Sequence, residues 1–313
     1  MVNVAPSPKA RILARLRAAE APVSGEELAA ELGSSRVAVW KHLEALREAG
    51  YDLESGRAGY RLASEGDFLH PWEFPGREAR VRRWERTDST MDRALELALA
   101  EPRCRAIVVA ESQDRGRGRS GRRWSSRRGG LFATLVLEPS PRPWRAGLAA
   151  VAGGIALCLA LRELTGEPFA LEWPNDVYLG GRKVAGLLVE YLAEGEELRL
   201  LDLGIGVNVA NVAPSPAAFS LAELGPRAPT RRALLAAFLD RFEPLGLEGG
   251  GLAAAWNGLS SSRGRLVRDE GGARLGRAVG IDAEGRLEVE LDSGGIAPFR
   301  PSEASISRKG AST

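Results

Sequence analysis

The chain has 313 residues, and its 43 lysines and arginines nearly balance 41 aspartates and glutamates, for a formal net charge of +2. This length predicts two or three domains with a sizeable core. The small net charge neither favours nor excludes a nucleic-acid partner.

Three further features concern the compartment. The two cysteines, Cys104 and Cys158, argue against a disulfide-stapled secreted scaffold and fit a reducing environment. The start of the chain lacks the pattern of a signal peptide. An apolar uncharged run, residues 146–161, is short and rich in glycine and alanine for a membrane span. We therefore expect a cytoplasmic protein that has no contact with membranes.

Residues 10–63 carry the pattern of three helices and a β-hairpin. A capping box at Ser24 opens the second predicted helix, and Gly33 ends it. The third has apolar residues at i, i+4 and i+7. Two helices joined by a tight glycine-containing turn indicate a helix-turn-helix, and two β-like segments, 51–54 and 59–62, add a wing.

The third predicted helix would enter the DNA major groove with its amino-terminal part. Charge adds little to this prediction, since residues 1–61 hold nine lysines and arginines against eight aspartates and glutamates. The alternative is a winged-helix interaction domain that binds no DNA, because a fold alone does not fix function. The DNA-contacting candidates are Ser35, Arg36, Trp40 and Lys41 on this helix and Arg57 at the wing tip.

An arginine–glycine loop occupies residues 112–124, between apolar runs at 106–110 and 131–137 that are typical of strands. Its glycines let the backbone approach a ligand closely, and its arginines supply permanent charge and a donor fork. Such a loop between strands can wrap a phosphate or a carboxylate. A disordered segment that touches nucleic acid is the alternative.

Several polar positions flank this loop in the predicted central domain. Asp88 or Ser89 can cap a helix, and a second helix at 145–164 is apolar on most faces. Each position has a structural explanation as a cap, a turn or a solvated charge. Their order nevertheless suggests convergence on one face of a mixed sheet. The positions that we expect to converge are the Pro-Asn-Asp turn at 174–176, Lys183 at the start of a strand, and Gly204, Gly206 and Asn208 near the end of another.

The last part of the chain has helices followed by short strands, which indicates a small β-barrel. The predicted helices cover 231–242 and 252–259, and the predicted strands cover 265–267, 274–281, 287–291 and 296–300.

Taken together, five motifs occur in the order and spacing of biotin protein ligases. They are Asp88-Ser89-Thr90, the loop from Gly116 to Trp124, Trp173-Pro-Asn-Asp176, Arg182-Lys-Val-Ala-Gly186 with Glu190, and Gly204-Ile-Gly-Val-Asn208. With the winged helix in front, the whole chain resembles the bifunctional biotin ligases that also repress the biotin operon.

The resemblance implies an α+β protein with three domains. These are an N-terminal winged helix-turn-helix at 1–64, followed by a linker at 65–80. A central mixed-sheet ligase domain, similar to class II synthetases, would cover 81–262. An SH3-like β-barrel would cover 263–313.

The resemblance also implies the chemistry. Biotin and ATP are the substrates, with Mg²⁺, and the biotin carboxylate attacks the α-phosphate to give biotinyl-5′-adenylate and pyrophosphate. A lysine of a biotin carboxyl carrier protein, a subunit of acetyl-CoA carboxylase, then takes the biotinyl group. The second partner is operator DNA, bound by a homodimer that forms when the adenylate is present, with repression of biotin synthesis genes.

The implied site residues make physical sense, because two anions must meet in the first step and need fixed positive charge. Lys183 and Arg119 are the catalytic candidates. The biotin contacts are Ser89, Thr90, Met91, Gln113, Arg117, Gly118, Arg119, Trp124 and Lys183, and the ATP contacts are Arg122, Asn175, Asp176, Asn208 and Phe219. No metal ligand is assigned.

Two departures from the family pattern occur. Glu172 stands where the family usually has a lysine, and Ser120 replaces a common arginine. A carboxylate at about 4–8 Å would offset part of the arginine field, by about 1 kcal/mol, so we expect Glu172→Lys to lower the KM for ATP or biotin. The alternatives are a biotin-sensing repressor with weakened catalysis and a lipoate ligase, against which the Gly-Arg-Gly-Arg loop argues.

Overall fold

A computed structural model describes residues 5–101, 104–138, 145–195, 197–247 and 249–307. The chain divides into two compact units, Met1–Arg83 and Trp84–Thr313. The two ends of the predicted domain arrangement, residues 1–4 and 308–313, lie outside the described residues.

The first unit is a winged helix-turn-helix, as predicted. Each helix begins at a serine whose Oγ accepts a backbone N–H from the first turn, and Gly33 ends the second helix with φ 64°. Ile12, Leu13 and Leu43 are fully buried in the core that the helices share. The elements are α1 (Pro8–Arg17), α2 (Gly25–Leu32), α3 (Arg36–Glu48) and the antiparallel hairpin of β1 (Leu53–Gly56) and β2 (Gly59–Leu62).

The segment predicted as a linker packs on the winged helix and contains a short 3₁₀ turn, Pro71–Glu73. The buried carboxylate of Glu73 accepts two hydrogen bonds from Arg17, both at 2.9 Å, and one from the hydroxyl of Tyr51. Trp72 donates its indole N–H to the same hydroxyl at 3.0 Å and stacks on His70. Single aromatic and charged side chains attach this segment to the winged helix. Because no repeating apolar face is needed for that, its sequence shows no periodicity.

The second unit is built on a seven-stranded sheet in the order β3-β4-β5-β9-β8-β7-β6. In this sheet order, every neighbouring pair from β4 across to β6 at the edge is antiparallel. The unit boundary falls inside β3. The strands are β3 (Val81–Trp84), β4 (Ile107–Ala110), β5 (Leu131–Leu137), β6 (Ala170–Glu172), β7 (Asp176–Leu179), β8 (Arg182–Glu194) and β9 (Glu197–Val207).

Helices cover the two faces of this sheet. On one face α4 (Thr90–Ala100) contacts β4, β5 and β9. On the other, α5 (Arg145–Thr165) contacts β6 to β9 and packs against α6 (Arg231–Leu245) and α7 (Gly249–Leu259). The stretch Ala146–Thr165 is long and apolar enough to cross a bilayer, yet 67% of its most apolar window is buried inside the protein, as in the core helix of a globular fold.

The carboxy-terminal strands form a five-stranded antiparallel sheet in the order β13-β12-β11-β10-β14. Its core holds Val267, Leu287 and Val289, which are fully buried. One strand more than predicted is present, since β14 pairs with β10. The strands are β10 (Leu266–Asp269), β11 (Arg274–Ile281), β12 (Leu287–Leu291), β13 (Ile296–Phe299) and β14 (Ala304–Ile306).

Candidate functional site

A cleft of about 930 Å³ lies in the second unit, over β8 and β9. Its base, the glycine floor, consists of Gly186, Gly204 and Gly206, of which Gly186 and Gly206 are directly paired. A Cβ at Gly206 would lie 2.6 Å from the ring of Trp124, and one at Gly204 would lie 2.6 Å from Sδ of Met91. The floor is therefore bare backbone, on which these two apolar side chains rest.

The arginine–glycine loop lines the cleft, and Arg117 attaches it to β8 and α4. Its guanidinium donates twice to Glu190 on β8 and once to Asp92 on α4, each at 2.7 Å. The hydrogen bonds that Arg117 donates to Glu190 and Asp92 raise the pKa of its guanidinium above the usual value. This arginine is fully engaged by carboxylates, so its charge serves to fix the loop.

Arg119 on the same loop has a different setting. It donates to the carbonyl of Pro301 at 2.8 Å. Among the described residues no carboxylate forms an ion pair with it. Burial lowers its pKa, while Asp176 acts in the opposite direction. Arg119 therefore presents an uncompensated charge at the cleft, which an anion would stabilise.

A chain of hydrogen bonds builds one polar end of the cleft. Thr134 donates to the hydroxyl of Thr90 at 2.8 Å, and Gln113 Oε1 accepts from the Thr90 backbone N–H at 2.7 Å. Gln113 Nε2 donates to Ser126 at 2.8 Å, and the buried Ser89 caps α4 by accepting from the N–H of Met91. The sequence predictions included Ser89, Thr90 and Gln113 but missed their partners. Thr134 carried a signal, since it is the one polar residue of an otherwise apolar strand.

At the other end of the cleft, the Nζ atom of Lys183 lies 2.6 Å from Asp176 Oδ2 and 5.3 Å from the ring centroid of Trp124. Both charged side chains are largely buried, with 27% and 19% exposed. Lys183 is thus held inside the cleft and is not a solvated charge at a strand end.

Most of the predicted nucleotide contacts also line the cleft, namely Arg122, Asn175, Asp176 and Asn208. Phe219 does not. Its ring packs beneath the guanidinium of Arg182, 5.0 Å from the ring centroid, and Arg182 pairs in turn with Glu223. The wall in this segment consists of small residues, Pro214, Ser215, Ala217 and Ala218.

The structure corrects the expectation that Glu172 weakens the positive field of the loop arginines. Its carboxylate accepts a hydrogen bond from Arg265, and the two side chains are only 13% and 15% exposed. Arg265 also donates to the carbonyl of Ser307 at 2.6 Å. An arginine 93 residues away therefore neutralises Glu172, which does not weaken the field of the loop arginines as expected.

A further buried acid lies next to the anchor of the loop. Asp202 is 2% exposed, and its Oδ1 has no hydrogen-bond partner among the described residues. It is paired across the sheet with Glu190, the acceptor of Arg117. Burial, with the charge of Glu190 adding to it, raises the pKa of Asp202 to about 7.

In the first unit, a second cleft of about 740 Å³ lies between the start of α2, the exposed side of α3 and the wing. Three of the predicted DNA contacts, Arg36, Trp40 and Arg57, line it. Lys41 is exposed on α3, and Ser35 uses its Oγ to cap that helix, accepting from the N–H of Ala38.

The comparisons with known proteins agree with this architecture. Residues 84–208 match the biotin/lipoate A/B protein ligase family, residues 9–61 match an HTH domain, and residues 265–307 match the biotin protein ligase C-terminal domain. The bifunctional ligase/repressor BirA of Bacillus subtilis is 30% identical over 303 residues, covering 87% of this chain and 90% of that protein. BirA of Escherichia coli K12 is 32% identical, with coverage of 90% and 92%.

A solved structure is similar over most of the chain. The biotin protein ligase from Aquifex aeolicus in complex with biotin and ATP superposes with a TM-score of 0.59 at 28% identity, covering 73% of this chain and 99% of that one.

The pair of Glu172 and Arg265 yields a test of stability. Glu172→Lys places two cations together and should lower the free energy of unfolding by about 3–5 kcal/mol, the usual cost of breaking a buried pair. The double variant Glu172→Arg/Arg265→Glu should recover much of the loss, because the charges are exchanged. Urea unfolding measures both, and parental stability for Glu172→Lys would contradict the pairing.

Asp202 yields a pH dependence of stability. Since its pKa is raised in the folded state, the native protein holds a proton that the unfolded chain releases, and stability falls as pH rises from about 4 to 7. Asp202→Asn should match the parent below pH 4 and exceed it by at most about 4 kcal/mol above pH 7. Thermal unfolding across this range measures the difference, and a constant offset between the two proteins would exclude this assignment.

Proposed function

The chain belongs to the family of bifunctional biotin ligases and repressors, and we propose how its residues divide the two activities. The protein activates biotin with ATP to biotinyl-5′-adenylate, transfers the biotinyl group to a protein lysine, and represses transcription through its winged helix. The observation that best supports catalysis is the position of Lys183. Asp176 holds this lysine at one end of the glycine floor, opposite a polar end that suits the biotin ring.

Biotin would lie in the cleft above the glycine floor, against Trp124 and Met91, which rest on Gly206 and Gly204. Its ureido group presents two donors and an acceptor, which the hydroxyls of Ser89 and Thr90 and the amide of Gln113 can match. Trp124 and Met91 would enclose the thiophane ring and the aliphatic tail, as apolar walls do in most small-molecule sites. This orientation directs the biotin carboxylate toward Lys183.

In the first step a carboxylate oxygen of biotin bonds to the α-phosphorus of ATP, and the bond to the β-phosphate oxygen breaks as pyrophosphate leaves. Two anions must approach each other, so fixed cations are needed. Lys183 and Arg119 are the proposed catalytic cations, with Arg122 at the nucleotide. We assign Arg117 to positioning of the loop, since two carboxylates already hold its guanidinium.

In the second step the amine of a carrier lysine attacks the acyl carbon of the adenylate. The bond from that carbon to the phosphate oxygen breaks, AMP leaves with the electron pair, and the amine loses its proton to solvent. The same cations stabilise the departing phosphate. We propose a biotin carboxyl carrier protein as the acceptor, in line with relatives named as biotin–acetyl-CoA-carboxylase ligases.

Magnesium fits the donors at this end of the cleft when it arrives with the nucleotide. Among the described residues no group of three or more histidine, cysteine, aspartate or glutamate side chains could hold a metal ion. Asp176 with the amide oxygen of Asn175 could complete a site that the phosphates supply, as Mg²⁺ commonly requires. Bound there, the ion would neutralise phosphate charge.

The ligase activity is tested with labelled biotin, ATP, magnesium and a biotin carrier domain. Covalent label on the carrier is expected, and labelled lipoate in place of biotin should give none. Label from lipoate would favour a lipoate ligase, and no label from either would favour a repressor with weakened catalysis.

In the adenylation step, Lys183→Gln should lower the rate by about 10²–10³, as does removal of one transition-state donor. Lys183→Arg should recover only part, because a planar fork replaces a point charge. The measurement is single-turnover pyrophosphate release, with far-UV circular dichroism to confirm folding and Lys9→Gln, on α1, as the matched control. A rate within threefold of the parent would remove Lys183 from the mechanism.

We propose further that adenylate binding controls repression through dimerisation. Residues 120–123 of the loop are exposed, so an anion that engages Arg119 can alter an accessible surface. A dimer would read two half-sites of an inverted repeat. Biotin plus ATP should therefore speed sedimentation and tighten DNA binding together. If neither quantity changed, this coupling would be wrong.

A further inference from the structure

Two large apolar side chains on α3 stand in solvent. Val37 is 64% exposed and Trp40 is 52% exposed. In the described part of the first unit they are the two exposed large hydrophobic residues. Exposing an indole and an isopropyl group side by side costs free energy, so the pair points to an interaction surface.

The geometry of α3 shows that packing does not require them. Val39, Leu43 and Leu46 bury the opposite side of the helix. Val37 and Trp40 are three residues apart and lie on one outer face. Glu44 shares that face, but its carboxylate is paired with Arg47.

Cations frame this apolar pair. Val37 and Trp40 line the cleft between α3 and the wing together with Arg36, Arg57 and one acidic residue, Glu26. Lys41 is exposed one residue beyond Trp40, so cations outnumber carboxylates around the apolar pair. This arrangement suits a ligand with an apolar centre and negative flanks. Duplex DNA has both, because phosphates border the groove and thymine is the base that presents a methyl group in the major groove.

We propose that Val37 and Trp40 recognise thymine in the operator through its C5 methyl group, while Arg36, Lys41 and Arg57 hold the phosphates. This inference rests on the DNA-binding function of the winged helix and adds which chemical feature of the bases it reads. Three cations per half-site also set a modest salt dependence, with a slope of log affinity against log salt of about −3 per half-site.

The experiment removes methyl groups from the DNA and leaves the protein intact. The full chain, with biotin and ATP, selects binding sites from a random duplex pool, and each thymine of the best site is then replaced by deoxyuridine. One or two positions per half-site should weaken binding by about fourfold each, the effect of burying one methyl-sized group.

Protein variants assign the effect to the two side chains. Val37→Ala and Trp40→Ala should each bind the thymine and deoxyuridine sites with nearly equal affinity at one of those positions. Arg57→Ala is the matched control: it should weaken all sites alike, keep the sensitivity to deoxyuridine, and reduce the salt slope by about 1 per half-site. Circular dichroism confirms that each variant is folded.

Three outcomes would contradict this inference, and they distinguish it from the function on which it rests. Binding to the selected site with no loss at any deoxyuridine position would overturn methyl recognition and leave DNA binding intact. Absence of binding to every duplex in the pool would overturn both. A loss at deoxyuridine that persists in both alanine variants would also overturn the assignment to Val37 and Trp40.

Discussion

The double ion pair of Arg117 is the interaction on which the cleft depends. One guanidinium joins the arginine–glycine loop to Asp92 on α4 and to Glu190 on β8. A loop with five arginines repels itself unless carboxylates share its charge. Arg115 is likewise paired with Asp88. With these two charges compensated, the loop can fold over the cleft while Arg119 keeps its charge available, and the same anchored backbone carries Gln113 and Trp124 into position.

The carboxy-terminal strands complete the other end of the cleft. Trp173 donates its backbone N–H to Ser262 at 3.0 Å and its indole N–H to the carbonyl of Gly285 at 3.2 Å. Pro301 accepts from Arg119, so the barrel also touches the loop. The turn that holds Asp176 is therefore braced by residues about a hundred positions later, and the barrel is part of the architecture of the cleft.

Local signals made much of this architecture predictable. Caps, apolar periodicity and the glycine–arginine pattern indicated the winged helix, the loop and the convergence of Lys183 with Asp176, because each depends on short-range chemistry. Contacts between distant segments were not predictable. The partner of Glu172 lies 93 residues away, and Phe219 packs against Arg182 and not in the cleft. The segment around Glu73 is held by isolated side chains, which leave no periodic pattern in the sequence.

The glycine floor has a consequence for reshaping this protein. A cleft lined by large side chains can be widened by trimming them, but a floor of main chain has nothing left to trim. Its shape is set by the hydrogen-bonded register of β8 and β9, since Gly186 faces Gly206 across the ladder. A side chain added at Gly204 or Gly206 would collide with Met91 or Trp124, so the strand register fixes this boundary and only the two side chains that rest on it can be exchanged to change the shape of the cleft.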